Sequence, residues 1–373
     1  MKISFVNRFF KLKIIGLILA FIMLTSIANA QPKKIKIGFF TPHLQNAFWI
    51  KAEKLFRAAC NDFNIEIKIY HANNSRETMR EQIIDAVSGQ DKVDAIIFQS
   101  FKQAGESFIQ IADAAKVPAF LFNAGVDHNK TGLPRGKYKY WIGEMMPSDE
   151  EAGFNLANYL IDAAIKTGNI DETGKVQMVG INGIFSDGAS IERGIGLQRA
   201  LNGRSDANLI RVIPGDWGFD TAKEKFLLLK KRYPQIKVVW SANDNMALGA
   251  IAGCKEMNLT VGKDIIIGGI DWDVDALKSI KTGEMSITIG GHYLDAAWAV
   301  VLLYDYFNGV DFAQESVMMK SQMHLITKSN IELFLNKLGD DEWEKVDFTK
   351  FSKKINPTIQ KYNFTLEEIL KQL

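Results

Sequence analysis

The sequence predicts an α/β protein of two lobes, each a parallel sheet wound with helices on both faces. Three observations carry the prediction. Short apolar, β-branched runs alternate with helical stretches from Lys34 to about residue 308, the rhythm of a doubly wound sheet. The rhythm breaks once, near Gly143, and resumes as a second series. The chain has 373 residues, enough for two independent cores.

In the first series, strands are expected at 35–40 (IKIGFF), 65–70 (IEIKIY), 94–98 (DAIIF) and 118–122 (PAFLF), with helices near 48–62, 77–88 and 104–115. A loop holding Gly125, Gly132, Pro134 and Gly136 leads to a short strand at Tyr138–Ile142. The chain is expected to change lobe at Gly143-Glu144, and Ser148 and Glu151 have the spacing of a capping box for the next helix. The second series reads strand 175–181, helix 188–202, strand 209–213, helix 220–232, then a crossover from Ile236 to Asp273, a helix at 274–281 and a strand at 285–289. A helix at 294–308 and a strand near 317–326 follow. The tail from Lys328 is charged and reads as helical, with a second capping-box spacing at Thr365 and Glu368.

The crossover bears most directly on function. IKVVW (236–240) and DIIIGGI (264–270) are strands of the kind buried on both faces. The helix between them makes the unit a right-handed crossover with parallel strands. Asn243 and Asp271 then emerge together at the carboxyl ends of the strands, where open α/β sheets bind ligands. Asp accepts two hydroxyl hydrogen bonds and Asn both donates and accepts, a pairing suited to a neutral, hydroxyl-rich molecule. Capping and turn formation are the structural uses of the same residues.

SANDNMALGA (241–250) followed by GGIDWD (268–273) resembles the sugar-binding periplasmic proteins of the ribose-binding type, which serve ABC transporters. The resemblance covers roughly Lys34 to Lys328. It implies the type 1 periplasmic binding protein fold: two doubly wound parallel-sheet lobes joined by a multi-strand hinge that close on a ligand. The implied division is 31–143 plus 291–323 for the amino-terminal lobe and 144–290 plus 324–330 for the other, with 331–373 as an extension. It also implies site positions. Asn46 and the aromatic pair Phe48 and Trp49 follow the first strand, where the family stacks rings on a sugar, whose C–H faces are apolar. Asn123 stands where the family often has an Asp-Arg pair, so a charged clamp is missing there. Arg193 matches the family's ligand-binding arginine, unless the register shifts by two and Ile191 takes its place. Trp217 matches a second aromatic position, and His292 stands where relatives often carry Gln. The implied partners are a sugar or sugar-like ligand and an ABC transporter permease; the alternative is a sensor kinase, as for the autoinducer receptors related to the family. A monomer is expected.

The amino terminus carries its own signal. Lys2, Arg8, Lys11 and Lys13 precede an apolar run from Ile14 to about Leu24, and Ala28-Asn29-Ala30 offers small residues at −3 and −1. This is a secretory signal peptide, residues 1–30, with cleavage expected after Ala30 and a periplasmic destination. Without it, 41 Lys and Arg face 43 Asp and Glu, a net charge of −2, and no basic cluster points to nucleic acid. Cys60 and Cys254 fall in different lobes and are expected as two buried thiols. There is no Gly-x-Ser-x-Gly elbow, phosphate-cradling Gly-x-x-x-x-Gly-Lys-Ser/Thr loop or His-Glu-x-x-His motif, and His43, His71, His128, His292 and His324 lack metal-ligand spacing. The expectation is a binding protein without catalysis, metal or cofactor.

Overall fold

A computed structural model describes residues 34–42, 46–339 and 341–373; the expected signal peptide lies outside the described residues. Lys36–Leu373 form one compact unit containing two sheets. The first series is β1 (Lys36–Thr41), α1 (Ala47–Asp62), β2 (Glu66–His71), α2 (Arg76–Ser88), β3 (Ala95–Phe98), α3 (Gly105–Ala115), β4 (Ala119–Phe122), the single turn α4 (His128–Thr131) and β5 (Trp141–Pro147). The second runs α5 (Asp149–Lys166), β6 (Val176–Asn182), α6 (Gly188–Asn202), β7 (Ala207–Pro214), α7 (Phe219–Arg232), β8 (Val238–Ser241), α8 (Asp244–Glu256), β9 (Ile266–Ile270), α9 (Val274–Thr282) and β10 (Ile287–Gly290). There follow α10 (Asp295–Phe307), β11 (Met318–Ser321), β12 (His324–Thr327), α11 (Ile331–Leu338) and α12 (Leu366–Leu370).

The sheet orders are β11-β5-β4-β3-β1-β2 and β12-β10-β9-β8-β6-β7. Every strand pair is parallel except β10 with β12. The strand cores are apolar on both faces, as parallel sheets covered by helices require: Ala95–Phe98, Ala119–Phe122 and Ile266–Ile270 are buried throughout. This is the two-lobed type 1 architecture. The chain passes between sheets at Pro147–Asp149, Gly290–Asp295 and Ser321–His324.

Four local expectations are corrected. The strand placed at Tyr138–Ile142 lies at Trp141–Pro147 and stays in the first sheet beyond Gly143, because the apolar run WIGEMMP, rather than the glycine, sets its length. Ser148 makes no cap bond for α5; its hydroxyl donates instead to the Ser321 carbonyl at 2.9 Å, joining two of the inter-lobe passages. The single strand near 317–326 is two strands, one in each sheet. The tail is only briefly helical. After α11 it returns to the first lobe, where Phe348, Phe351 and Phe364 pack around Trp298 of α10 and the Phe348 amide donates to Asp62 of α1. Cys60 and Cys254 are free and buried, as expected.

Candidate functional site

Both lobes turn the carboxyl ends of their parallel strands toward a cavity of about 300 Å³. Residues after nine strands line it: Pro42 and Asn46 after β1, Asn74 after β2, Gln99–Phe101 after β3, Asn123 after β4, Ile184, Asp187 and Ala189 after β6, Asp216–Gly218 after β7, Asn243 and Asn245 after β8, Asp271 after β9, and His292 after β10. All nine sequence-predicted positions meet there. Asn46, Phe48, Trp49 and Asn123 come from the first lobe. Arg193, Trp217, Asn243 and Asp271 come from the second, and His292 from the passage between them.

On the first-lobe side, Asn46 caps α1 by accepting the Phe48 amide at 2.9 Å. This places Phe48 and Trp49 in the first turn, each 7% exposed. Their rings meet edge to face at 5.0 Å, and Trp49 meets Phe122 likewise at 5.9 Å. Phe48 stacks on His292 with centroids 4.7 Å apart. Both aromatics are therefore largely packed and still reach the cavity wall. Asn123 takes a left-handed backbone (φ 64°) and donates through Nδ2 to Gln99 Oε1 at 3.2 Å.

The second-lobe side centres on Arg193, which is 3% exposed. Ile191, the residue of the alternative register, is 45% exposed and does not line the cavity. Two glycines bring Arg193 into place. A Cβ on Gly153 would stand 2.1 Å from the Arg193 carbonyl oxygen, and one on Gly196 would stand 2.0 Å from that of Glu150. Helices α5 and α6 thus touch backbone to backbone. Arg193 Nε donates to Asp149 Oδ1 at 2.6 Å and Nη1 to the Ala242 carbonyl at 2.6 Å. Nη1 also lies 3.4 Å from Asp271 Oδ1, and Nη2 donates to His292 Nε2 at 3.1 Å. Burial opposes the guanidinium's charge, but Asp149 and Asp271 outweigh it and hold the pKa above its usual value.

Burial, then the neighbouring guanidinium, holds His292 well below the ordinary histidine range, so it is neutral. Because Nε2 accepts from Arg193, the bond assigns the ring proton to Nδ1. That Nδ1 is buried without a partner among the described residues. Asp271 is pushed well above the usual carboxylate range by burial; Arg193 pulls it down while Asp273, Asp244 and Asp149 push it up. Asp271 has φ 129° and Trp272 φ 60°, so the chain turns sharply out of β9. Asn243 caps α8 by accepting the Met246 amide at 2.9 Å, the role Asn46 plays in the first lobe. The capping and cavity-lining uses of Asn243 coexist: Oδ1 caps, and Nδ2 has no hydrogen bond among the described residues. Trp217 (φ 62°) donates through Nε1 to Asp187 Oδ2 at 2.9 Å.

Asn74, Gln99, Asp187 and Asn245 also line the cavity and were not singled out in the sequence. Their signal was available: Asn74 and Gln99 follow β2 and β3 as Asn243 follows β8. The rule about carboxyl ends, applied to every strand, finds them. The lobes meet around the cavity, since Gln103 Nε2 donates to the Ser186 carbonyl at 3.2 Å and Lys51 Nζ to that of Trp272 at 3.2 Å.

Aromatic faces, amides, three carboxylates and one guanidinium form an arrangement that can hold a polar ring by its hydroxyls and C–H faces. Among the described residues no group of three or more His, Cys, Asp or Glu is placed to hold a metal ion. Comparison with known proteins agrees with this chemistry. The ribose import binding protein of Bacillus subtilis is 25% identical over 265 residues, 70% of this chain and 77% of that one. The xylitol-binding protein of Mycolicibacterium smegmatis is 26% identical over 326 residues, 86% of this chain and 84% of that one. A crystal structure of a periplasmic sugar-binding protein from Pseudomonas fluorescens superposes with a TM-score of 0.81 at 26% identity, covering 90% of this chain and 99% of that one. The family model described as "Periplasmic binding protein domain" matches residues 37–310, and the chain belongs to that family.

Proposed function

We propose that this protein is an exported solute-binding protein that captures a small polyhydroxylated ligand, a sugar or close analogue, by closing its lobes and presents it to an ABC transporter permease. One observation carries the reading: residues from both lobes and from a passage between them line a single cavity of sugar-binding composition. A ligand bonded to both lobes favours the closed state, because only that state makes all the bonds. No step of bond making or breaking is involved, and the ligand leaves unchanged. The relatives matched include an import binding protein, which supports transport over a sensing role.

Export rests on residues 1–30 and cleavage after Ala30; intact-mass spectrometry of protein from its host should find Gln31 first, and a mature chain retaining Met1–Ala30 would refute it. Function is tested by a thermal-shift screen of pentoses, hexoses and polyols. A true ligand at 100 times its dissociation constant adds about 2.7 kcal/mol to stability. It should also be recovered chemically intact. No shift with any of these compounds, or conversion of the one that binds, overturns the reading.

A further inference from the structure

Asp187 stands immediately before α6, at the N-cap position, yet its side chain makes no cap bond. Asn46, Asn243 and Asp127 at equivalent positions accept a helix amide, whereas Asp187, like Asp273, does not. The Asp187 carboxylate is turned elsewhere. Oδ2 accepts the Trp217 indole N–H at 2.9 Å, and this bond fixes the carboxylate. Oδ1 is buried and has no hydrogen-bond partner among the described residues. The residue lines the cavity. A buried carboxylate oxygen without a donor is costly, and burial pushes this group above the usual carboxylate range while Trp217 and Lys102 pull it down.

Its place at the junction of the lobes adds a second argument. A Cβ on Gly188, the next residue, would lie 3.9 Å from that of Ala124, and Ala124 follows Asn123 at the end of β4. Asp187 is thus brought from the second lobe to the seam with the first, beside the end of β4. Lys102, which belongs to the opposite lobe, supplies countercharge. With that countercharge present, the missing partner of Oδ1 need only be a neutral O–H donor.

We propose that Asp187 is a specificity-determining ligand contact whose Oδ1 accepts a hydrogen bond from one hydroxyl of the bound sugar or polyol. The assignment rests on the reading of the cavity as a sugar site. The carboxylate acts only in the closed state, because its segment reaches the first lobe there; it therefore selects ligands with a hydroxyl on the side facing the seam. An analogue lacking that hydroxyl leaves the oxygen buried and bare, the case in which discrimination is strongest.

The test is calorimetry on the full chain with D-ribose, D-allose, D-galactose, L-arabinose, xylitol and myo-inositol, using wild type, Asp187→Asn and Asp187→Ala. Asn retains an acceptor for the Trp217 indole but presents N–H where Oδ1 stood. Both variants should bind the compound that wild type binds on the order of 10- to 100-fold more weakly, with ligand-free melting temperatures unchanged. Among monodeoxy analogues of that compound, one should lose a similar factor with wild type and nothing further with Asp187→Ala, since residue and hydroxyl then form one coupled pair. Unchanged affinity in both variants, or deoxy losses that all persist in Asp187→Ala, overturns the assignment while leaving the sugar site standing. If wild type binds none of the six compounds, the sugar reading falls and the assignment falls with it.

Discussion

Asp271 Oδ1 lies 3.4 Å from Arg193 Nη1, joining the turn after β9 to helix α6 beneath the cavity. The same Arg193 is held by Asp149 at 2.6 Å, so Asp271 is the weaker of its two carboxylate partners and retains acceptor capacity for a ligand. Asp271→Asn is therefore expected to separate binding from folding. Asn tolerates the positive φ that Asp271 adopts, and the substitution removes a carboxyl that burial already disfavours as a charge. A buried hydrogen-bonding partner left unsatisfied costs about 1–3 kcal/mol, so affinity for the identified sugar should fall roughly 10- to 100-fold, with little change in ligand-free melting. Calorimetry alongside a melting curve checks both halves; undiminished affinity returns Asp271 to a structural role.

Asp244 gives a pH prediction. It is fully buried and accepts Thr288 Oγ1 at 2.7 Å and the Asp273 amide at 2.9 Å. Burial, then the charge of Asp273, pushes its carboxyl from 3.8 up to about 8. The unfolded chain loses this proton near 3.8 and the folded chain keeps it to about 8, so across that window the folded state binds more protons. Stability contributed by the group is then full below the unfolded value, falls as pH rises through the window and levels off above it. Asp244→Asn removes the titration. Its melting temperature should decline less between pH 5 and pH 8 than that of wild type; parallel curves would sink the argument.

The tail should prove part of the first lobe's core. Phe348 is fully buried and meets Trp298 edge to face at 5.6 Å, while Phe364 stacks on the same Trp298 at 4.8 Å. Phe348→Ala should cost about 3–5 kcal/mol, the range for truncating a buried phenylalanine, measured by chemical denaturation. Phe348 does not line the cavity, so sugar affinity should hold. A variant within about 0.5 kcal/mol of wild type, the scale of a surface change, would show that the tail is only laid over the lobe.

The sequence by itself determined the alternation of strands and helices, the two lobes and the segments that reach the cavity. Those properties follow from local pattern: β-branched runs buried on both faces can only be covered strands, and chain direction puts their carboxyl ends on one edge. Asn46, Asn243 and Asp271 were legible for that reason. The tertiary structure alone decided what depends on neighbours distant in the chain. The burial of Arg193 rests on two glycines that let α5 and α6 touch, 43 residues apart in the chain. The neutrality of His292 rests on burial and then on Arg193, the return of the tail on its aromatic packing around Trp298, and the unpaired oxygen of Asp187 on an indole 30 residues away. Packing and desolvation act through space, and a sequence pattern reports only the spacing of residues along one element.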